Sequence, residues 1–370
     1  QDDVKEGNVI AFSEKEPLSG IIGLVNCIRK EPNGLNLKCV FTDDPRAPSF
    51  SLENSFYQNV IQQGLAINVF RDGKWGSYRH LLLDCHVEPE CHSTQCMANV
   101  MQRGNLSTFR WQQGMMPFVK PKKLVVNVHY ASLNFRDAML ATGKLAIETC
   151  GKTRLDHQCV LGFEFSGITE DNRRVMGVVV GGALSTSVEI DESITWGVPD
   201  DWTLAEAATI ACVYMTVYFS FFIATKIEKG KSILIHAGSG GVGLAAIRVA
   251  FAYGLEVFTT VSTEEKKNFL LQEYPKLKAE HIGNSRDTSF LDMVMTQTHG
   301  KGVDFVLNSL SEDKLRASIK CLAQGGKFLE IGKFDMANDN KIGLGEFIRE
   351  LSFQAILVDN LIKSTADEKL

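Results

Sequence analysis

Residues 206–358 alternate between short apolar runs of strand length and longer stretches whose apolar residues recur every three or four positions. This alternation predicts parallel strands joined by helices, because each helix crosses back over one face of the sheet. The predicted strands are Ser232–His236, Glu256–Val261, Val303–Leu307, Lys327–Ile331 and Ser352–Val358. The predicted helices are Val242–Tyr253, Glu264–Tyr274, Glu312–Leu322 and Leu344–Leu351. The pattern indicates an α/β fold with a doubly wound parallel sheet.

The two preceding parts of the chain have different patterns. Residues 105–205 contain short strand-like runs with frequent glycine, such as Lys123–Tyr130 and Arg174–Val180, which is typical of a small barrel or coiled sheet. Residues 1–100 predict a separate small α/β unit that ends in a polar linker over residues 88–104. Its predicted elements are a helix at Ser19–Ile28, a strand at Leu37–Phe41, a helix at Ser55–Gly64 and a hairpin formed by Ala66–Phe70 and Trp75–Leu83.

The apolar stretch Ala207–Ala224 has the composition of a membrane span but is short for one. It contains Thr and Ser and lacks one-sided basic flanks, so a buried helix is the preferred interpretation.

Composition narrows the function classes. The chain has 370 residues, enough for two or three domains, and its formal net charge of −5 gives no reason to expect nucleic-acid binding. Its nine cysteines are an odd, scattered set, and no signal-like start precedes them, so reduced thiols in a cytoplasmic protein are expected. The chain starts at Gln1 and ends in a polar stretch at Leu370, which suggests a piece of a larger polypeptide.

A glycine-rich segment between a predicted strand and a predicted helix carries the strongest chemical signal. The segment Ile233–Gly243 has the order that dinucleotide sites need, since glycines let the backbone turn tightly and approach a pyrophosphate at a helix N-terminus. The candidate cofactor-binding residues are Gly238, Ser239, Gly240, Gly241, Val242 and Gly243. The alternative, a glycine-rich loop without a ligand, is weaker because a second predicted strand follows in the expected place.

The end of that second strand predicts the choice of nicotinamide cofactor. NAD-preferring sites place an acidic residue there to bind the ribose 2′-hydroxyl, whereas this chain has Ser262, followed by Lys266 within one helical turn. A hydroxyl and an ammonium group suit a 2′-phosphate, so NADPH is favoured. The alternative is that Lys266 and Lys267 form a solvated helix face opposite Glu264 and Glu265.

A metal site is not predicted. Cys85, His86, Cys91, His92 and Cys96 lie in a short span, but they lack the paired clusters that a structural zinc site requires. A polar linker is the preferred interpretation.

Several longer motifs resemble one family. They are Tyr130–Lys144, Leu161–Gly167, the glycine-rich segment, Asn284–Phe290, Gly302–Ser309 and Leu329–Lys333. Together these motifs resemble the enoyl reductase of animal type I fatty acid synthase, a zinc-free member of the medium-chain dehydrogenase/reductase family. Phe163 stands where a zinc alcohol dehydrogenase carries a His before Glu164. Gly23–Pro32 and Val69–His80 resemble the end of the pseudo-ketoreductase segment that precedes this reductase.

The resemblance implies four parts of the chain. Residues 1–100 would be the end of the pseudo-ketoreductase with a linker, residues 105–225 a GroES-like catalytic subdomain, and residues 226–358 a Rossmann-type NADPH-binding subdomain. Residues 359–370 would start a truncated segment that returns to the catalytic subdomain.

The resemblance also implies a reaction and its residues. NADPH would reduce a trans-2-enoyl thioester held by phosphopantetheine on acyl carrier protein, giving a saturated acyl chain. The implied proton-donor candidates are Lys333 and Asp359, with solvent as an alternative, because Phe135 replaces a tyrosine that related polyketide enzymes carry. Arg286, Asn308 and Ser309 are implied to lie near the cofactor.

The partners and rival functions follow from the same resemblance. It implies a homodimer joined through Ser352–Val358, working with other domains of one multifunctional synthase. An animal polyketide synthase of the same lineage is the nearest rival. A free-standing quinone or enone reductase and a catalytically silent nucleotide-binding scaffold are the others.

Overall fold

The computed structural model divides the chain into two compact units, residues 1–91 and residues 92–370. The residues that the structure describes are 9–14, 20–79, 93–114, 124–144 and 159–365. Of the cysteine and histidine residues weighed as metal ligands, all but Cys96 lie outside the described ranges.

The first unit is a small sheet of three parallel strands and one antiparallel edge strand. Its elements are β1 (Val9–Glu14), α1 (Ile21–Ile28), β2 (Leu37–Thr42), α2 (Ser55–Gln62), β3 (Ile67–Arg71) and β4 (Lys74–Gly76), with the strands in the order β1-β2-β3-β4. Val25, Cys39, Phe41 and Ile67 form its core. The predicted helices, the strand at 37–41 and the existence of the hairpin are confirmed. The second strand of the hairpin ends at Gly76, so the prediction that it runs on from Trp75 is wrong for residues 77–79, and residues 80–83 lie outside the described ranges.

The prediction of a linker over residues 88–104 is wrong for its second half. Residues 96–100 form β5 (Cys96–Val100), which pairs antiparallel with β6 (Phe109–Gln113). Ala98 and Val100 are buried, and the Asn99 amide donates to Gln112 Oε1 on the facing strand at 2.8 Å. The Asn99 amide nitrogen is thus bonded across a strand pair, in a segment whose polarity suggested a linker.

An antiparallel sheet of five strands follows, as the glycine-interrupted runs predict. Its elements are β7 (Leu124–Ala131), α3 (Phe135–Ala141), β8 (Glu164–Thr169), β9 (Arg174–Val178), β10 (Ser187–Ile190) and β11 (Thr195–Gly197), with the strands in the order β10-β7-β8-β9-β11. Val126, Phe163, Phe165 and Ile190 lie in its core. We call this five-stranded layer the catalytic sheet.

The apolar stretch 207–224 joins the catalytic sheet to the next one as a series of helices. α4 (Leu204–Ala207) is followed by α5 (Ala211–Tyr218), which continues into a π-helical turn at Phe219–Ala224. Cys212, Val217 and Phe221 are buried, so the prediction that this stretch is helical and buried is confirmed, although it is divided into several helical segments. Within the described ranges, none of the helices has both the length and the apolar character that a membrane span needs.

The C-terminal part is the predicted doubly wound sheet. Six parallel strands lie in the order β14-β13-β12-β15-β16-β17. The strands are β12 (Ser232–Ile235), β13 (Glu256–Val261), β14 (Ile282–Asn284), β15 (Val303–Asn308), β16 (Leu322–Glu330) and β17 (Ser352–Ala355). The helices are α6 (Gly241–Ala252), α7 (Glu264–Glu273), α8 (Phe290–Gln297), α9 (Asp313–Lys320), α10 (Phe334–Ala337) and α11 (Val358–Thr365).

The hydrophobic pattern does not predict β14 and α8, and it predicts an α-helix where residues 344–349 form a 3-10 helix. Short elements of this kind are specified by their packing: Phe290 and Val294 of α8 are fully buried against the sheet. Their local periodicity spans too few residues to predict them.

Candidate active site

The glycine-rich segment between β12 and α6 has no room for a side chain at Gly238 or at Gly243. A Cβ added to Gly238 would lie 2.1 Å from Thr259 Oγ1, and one added to Gly243 would lie 2.4 Å from the Ala237 carbonyl oxygen. Ala237 has a positive φ of 52°, an uncommon conformation for a residue with a side chain. The loop is therefore held in one tight conformation, and such strain is found mostly at ligand sites.

The loop ends at a helix N-terminus that has no side-chain cap. Gly240 occupies the N-cap position of α6, and because glycine has no side chain, no side-chain hydrogen bond caps this helix. Gly240 and Gly241 are exposed, and Ser239 and Val242 are half-buried. The first N–H groups of a helix have no partner within the helix, so this end offers donors and a positive dipole to an anion. The tight glycine-rich loop and the uncapped N-terminus of α6 together fit a pyrophosphate. We call these residues, 238–243, the cradle.

His236, the residue directly before Ala237, is fixed by contacts of both of its ring nitrogens. Its ring is buried, with Nδ1 3.0 Å from Thr260 Oγ1 and Nε2 2.7 Å from Ser318 Oγ. The Ala237 N–H donates to the same Thr260 hydroxyl at 3.3 Å. Burial lowers the pKa of His236 to about 3, so the ring is neutral at ordinary pH.

This histidine predicts a pH dependence of stability. The unfolded chain binds a proton at His236 below pH 6.5, whereas the folded chain does not until about pH 3. The free energy of unfolding should therefore fall as pH decreases through this window, by up to about 1.4 kcal/mol per pH unit from this residue. Urea unfolding of the wild type and His236→Gln at several pH values measures the difference. Equal slopes in the two proteins between pH 6 and pH 4 would contradict the prediction.

Ser262 lies beside the glycine loop because the two strands run in register. Ile235 of β12 pairs with Thr259 of β13, and the Gly238 N–H donates to the Thr260 carbonyl at 3.0 Å. Ser262 follows directly after β13 and is half-buried, at the same edge as the loop. This is the position from which a residue reaches the adenosine ribose in dinucleotide folds.

Lys266 and Arg286 bring positive charge to the same edge. Lys266 is in the first turn of α7, where its N–H donates to Thr263 Oγ1, and its side chain is exposed. Arg286 is also exposed and follows β14, which pairs with the end of β13. Two cationic residues thus follow the ends of neighbouring strands at the edge where Ser262 lies, and Glu264 and Glu265 bring negative charge to the first turn of α7.

Asn308 and Glu330 form a buried pair at the ends of β15 and β16. Asn308 Nδ2 donates to Glu330 Oε2 at 2.6 Å, and the Gly332 N–H donates to Glu330 Oε1 at 2.6 Å. Burial raises the pKa of Glu330 to about 8, and the two hydrogen bonds oppose that rise. The Asn308 amide, assigned to the cofactor by sequence, is thus engaged within the protein, while Ser309 beside it is exposed. Glu330 fixes the turn that carries Lys333.

Lys333 and Asp359 are in contact. Lys333 Nζ donates to Asp359 Oδ2, and Arg136 Nε lies 3.4 Å from Asp359 Oδ1. The exposed fractions of the side chains are 25% for Lys333, 12% for Asp359 and 15% for Arg136. The structure therefore brings the two predicted proton-donor candidates together and adds an arginine that sequence reasoning did not select.

The three charged side chains of this cluster come from segments that are far apart in the sequence. Lys333 follows β16, Asp359 is in the first turn of α11, and Arg136 is in the first turn of α3. Ile362 anchors α11 in the core of the catalytic sheet. The site thus joins the catalytic sheet to the carboxyl edge of the parallel sheet, where open α/β sheets bind their ligands.

The position before Glu164 is occupied by an apolar ring. Phe163 is buried, and the Arg136 guanidinium lies over its ring at 4.8 Å from the centroid. Glu164 is also buried, accepting from Ser132 Oγ at 2.7 Å and from the Cys212 N–H at 2.8 Å, and burial raises its pKa. Over the described ranges no cluster of three or more His, Cys, Asp or Glu side chains could hold a metal ion.

Comparisons with known proteins show that the chain is similar to parts of multidomain synthases. Residues 1–83 match the model of the pseudo-ketoreductase domain of fatty acid synthase, and residues 241–367 match the model of the zinc-binding dehydrogenase family. The reducing polyketide synthase hmp8 of Hypomyces subiculosus is 37% identical over 70% of this chain, and the lovastatin diketide synthase lovF of Aspergillus terreus is 38% identical over 60%. The chain spans only 11% and 9% of the length of these two relatives.

A solved structure decides the fold. The CurK enoyl reductase superposes with a TM-score of 0.64 and 27% identity, covering 74% of this chain and 83% of that one. The chain contains an enoyl reductase fold. The Rossmann-type sheet with a strand-rich catalytic part is therefore confirmed, as is a resemblance to the enoyl reductases of multifunctional synthases. These relatives are fungal reducing polyketide synthases, whereas the sequence motifs led us to expect an animal fatty acid synthase.

Proposed function

We propose that this chain is the NADPH-dependent enoyl-thioester reductase part of a multifunctional reducing synthase. The observation that carries the proposal is the Lys333–Asp359–Arg136 cluster at the carboxyl edge of the parallel sheet. The glycine loop follows β12 and Lys333 follows β16, with β15 between these strands, so cradle and cluster share one edge. A nucleotide cradle and a proton-donating group at one edge are the parts that a reductase needs.

The residues that would hold the cofactor are those of the glycine loop, with Ser262, Lys266, Arg286 and Ser309 around it. When bound, NADPH supplies a hydride for the β-carbon of the enoyl thioester. The loop N–H groups and the α6 N-terminus bind and orient phosphate oxygens. Ser262 and Lys266 offer a hydroxyl and a cation to the 2′-phosphate.

The proton would come from the charged cluster. Lys333 holds a proton at Nζ, and Asp359 orients that ammonium group by accepting from it. Phe135 is 79% exposed beside Arg136 but has no proton to give. Proton donation at the α-carbon therefore falls to Lys333, with Asp359 as its partner.

The relatives support one substrate class for this proposal. Fungal reducing polyketide synthases share more than a third of the aligned residues with this chain, so a polyketide-type 2-enoyl thioester on a carrier protein is the preferred substrate. A fatty acid synthase is the second candidate, because residues 1–83 match the pseudo-ketoreductase model of that enzyme. The rates for crotonyl and 2-methylcrotonyl thioesters test the choice: preference for the branched substrate supports the polyketide class, and its rejection supports fatty acid synthesis.

Replacing Lys266 with Ala tests the cofactor. Loss of one charge-assisted contact to a 2′-phosphate should weaken NADPH binding by about tenfold and leave NADH binding nearly unchanged. Fluorescence titration of both cofactors measures the two dissociation constants. Lys267→Ala, one position along the same helix, is the matched control. An equal loss of affinity for both cofactors in Lys266→Ala would reject the 2′-phosphate role.

We also propose that the protein works as a homodimer in the cytoplasm. β17 is the edge strand of the described six-stranded sheet, and unpaired edge strands are templates for pairing with a second chain. Leu344 and Ile348, exposed by 84% and 83%, precede that strand. Sedimentation of the purified protein measures the mass, and a monomer at micromolar concentration would reject the dimer.

A further inference from the structure

Arg136 is fixed in place by contacts that do not involve the charged pair. Its Nη1 donates to the Val180 carbonyl at 2.8 Å, and its guanidinium lies over the Phe163 ring. Arg136 follows Asn134, which caps α3, and Asp137 closes the capping box and also accepts from the Gly162 N–H at 2.9 Å. The guanidinium is thus held by the backbone and core of the catalytic sheet.

The Arg136 donor that faces Asp359 has an unusual environment. Arg136 Nε is buried and has no hydrogen-bond partner within the described residues, although it lies 3.4 Å from Asp359 Oδ1. The other oxygen of that carboxylate accepts from Lys333. Catalytic hydrogen bonds are often long in unliganded proteins and tighten when substrate binds. The two oxygens of one carboxylate are therefore shared between a fixed cation and a proton-donor candidate.

We propose that Arg136 is a positioning residue for proton delivery, holding Asp359 from the side opposite Lys333 so that the Lys333 ammonium group faces the substrate. The inference rests on the proposed reductase function. Arg136 does not touch the substrate in this scheme; it acts through Asp359. An arginine at the start of α3, held by the Val180 carbonyl and the Phe163 ring, thereby sets the direction of the lysine that follows β16.

The chemical step balances without a further reactant. A hydride brings two electrons to the β-carbon, and the double-bond electrons move to the α-carbon and thioester oxygen as an enolate. The Lys333 N–H bond breaks, and its proton forms the new C–H bond at the α-carbon. The neutral amine then regains a proton from solvent. Asp359 and Arg136 keep their charges throughout.

A double-mutant cycle tests the inference. Arg136→Met should lower kcat with crotonyl thioester by about tenfold to a hundredfold in the wild-type background, within the range of general acid effects. In the Asp359→Asn background the same change should lower kcat by less than about twofold, since the partner through which Arg136 acts is already lost. An equal loss in both backgrounds would overturn the proposal.

Two further readouts separate positioning from a structural role. NADPH affinity should stay within about twofold of wild type, because Arg136 lies outside the cradle. In Arg136→Met, the solvent deuterium isotope effect on kcat should rise, because proton transfer becomes the slower step. The isotope effect measured with deuterated NADPH should shrink, because hydride transfer is not impaired. A fall in kcat with both isotope effects unchanged would reject positioning.

Folding of the variants is controlled separately. Arg136→Lys keeps a cation over Phe163 and should recover part of the activity, although lysine lacks the planar fork of arginine. If Arg136→Met does not fold, the cycle is run with Arg136→Lys, and equal losses in both backgrounds again overturn the proposal. Arg248→Met is the matched control, because Arg248 is 60% exposed and pairs only with Glu273 among the ion pairs of the described residues. Failure of the wild-type protein to reduce crotonyl thioester would reject the underlying function instead.

Discussion

Replacing Lys333 with Met lowers turnover of crotonyl thioester by about a hundredfold or more, while the dissociation constant for NADPH stays nearly unchanged. Methionine keeps most of the length of the lysine side chain but has no ammonium group to donate a proton. Removing the ammonium group also leaves Asp359, 12% exposed, with Arg136 as its one remaining cation among the described residues. Steady-state kinetics and a cofactor titration measure the two quantities.

The matched control is Lys320→Met. Lys320 is an exposed lysine at the end of α9, so its loss removes the same charge from the chain without touching the cluster. Its kcat should equal that of the wild type. Turnover of Lys333→Met within a factor of two of wild type would remove Lys333 from the mechanism and leave solvent as the proton source.

Replacing Gly238 with Ala should weaken NADPH binding by about a hundredfold. The new methyl group would lie 2.1 Å from Thr259 Oγ1, which donates to the Ile235 carbonyl at 2.7 Å, so the loop or the strand must move. Displaced N–H groups lose one or two phosphate hydrogen bonds, each worth about 1.5–3 kcal/mol when charge-assisted, which corresponds to about a hundredfold loss of affinity. Isothermal titration with NADPH measures the effect.

Gly23→Ala is the control for that substitution. Gly23 lies in α1, outside the glycine-rich loop, and a methyl group there would have no neighbouring atom of the described residues within 4 Å. NADPH affinity of this variant should stay within about threefold of wild type, since the change touches no part of the loop. Equal affinities of Gly238→Ala and the wild type would show that the loop is not the cofactor cradle.

The cradle could be predicted from sequence because its requirements are local. Closely spaced glycines between a strand and a helix are typical of dinucleotide-binding loops, and the structure shows that Gly238 and Gly243 have no room for a side chain. The position of Ser262 after β13 followed from the same strand–loop–helix order. Even so, the roles of these residues rest on the proposed cofactor.

The charged cluster could be predicted only in part. Lys333 and Asp359 were selected by resemblance, but nothing in the local sequence predicts that Arg136 joins them. The Arg136 guanidinium meets Asp359 because the fold brings the first turns of α3 and α11 together, and no local periodicity encodes that meeting. Similarly, the pairing of Asn308 with Glu330 turns an expected cofactor contact into an internal hydrogen bond.

The linker prediction failed for a physical reason. Residues 96–100 have weak apolar alternation, and the one side-chain hydrogen bond of Asn99 among the described residues, from its amide nitrogen, goes to Gln112 on the facing strand. The partner strand lies beyond an intervening turn, too far along the chain for a local hydrophobic pattern to include it. Cross-strand pairing therefore overrides local polarity here.

The central claim is that this chain reduces enoyl thioesters with NADPH. The most direct measurement is the loss of NADPH absorbance when the protein is mixed with crotonyl thioester, with NADH in a parallel reaction. The account predicts oxidation that requires the thioester, is faster with NADPH than with NADH, and yields butyryl thioester. NADPH that binds but is not oxidised at any thioester concentration would contradict it.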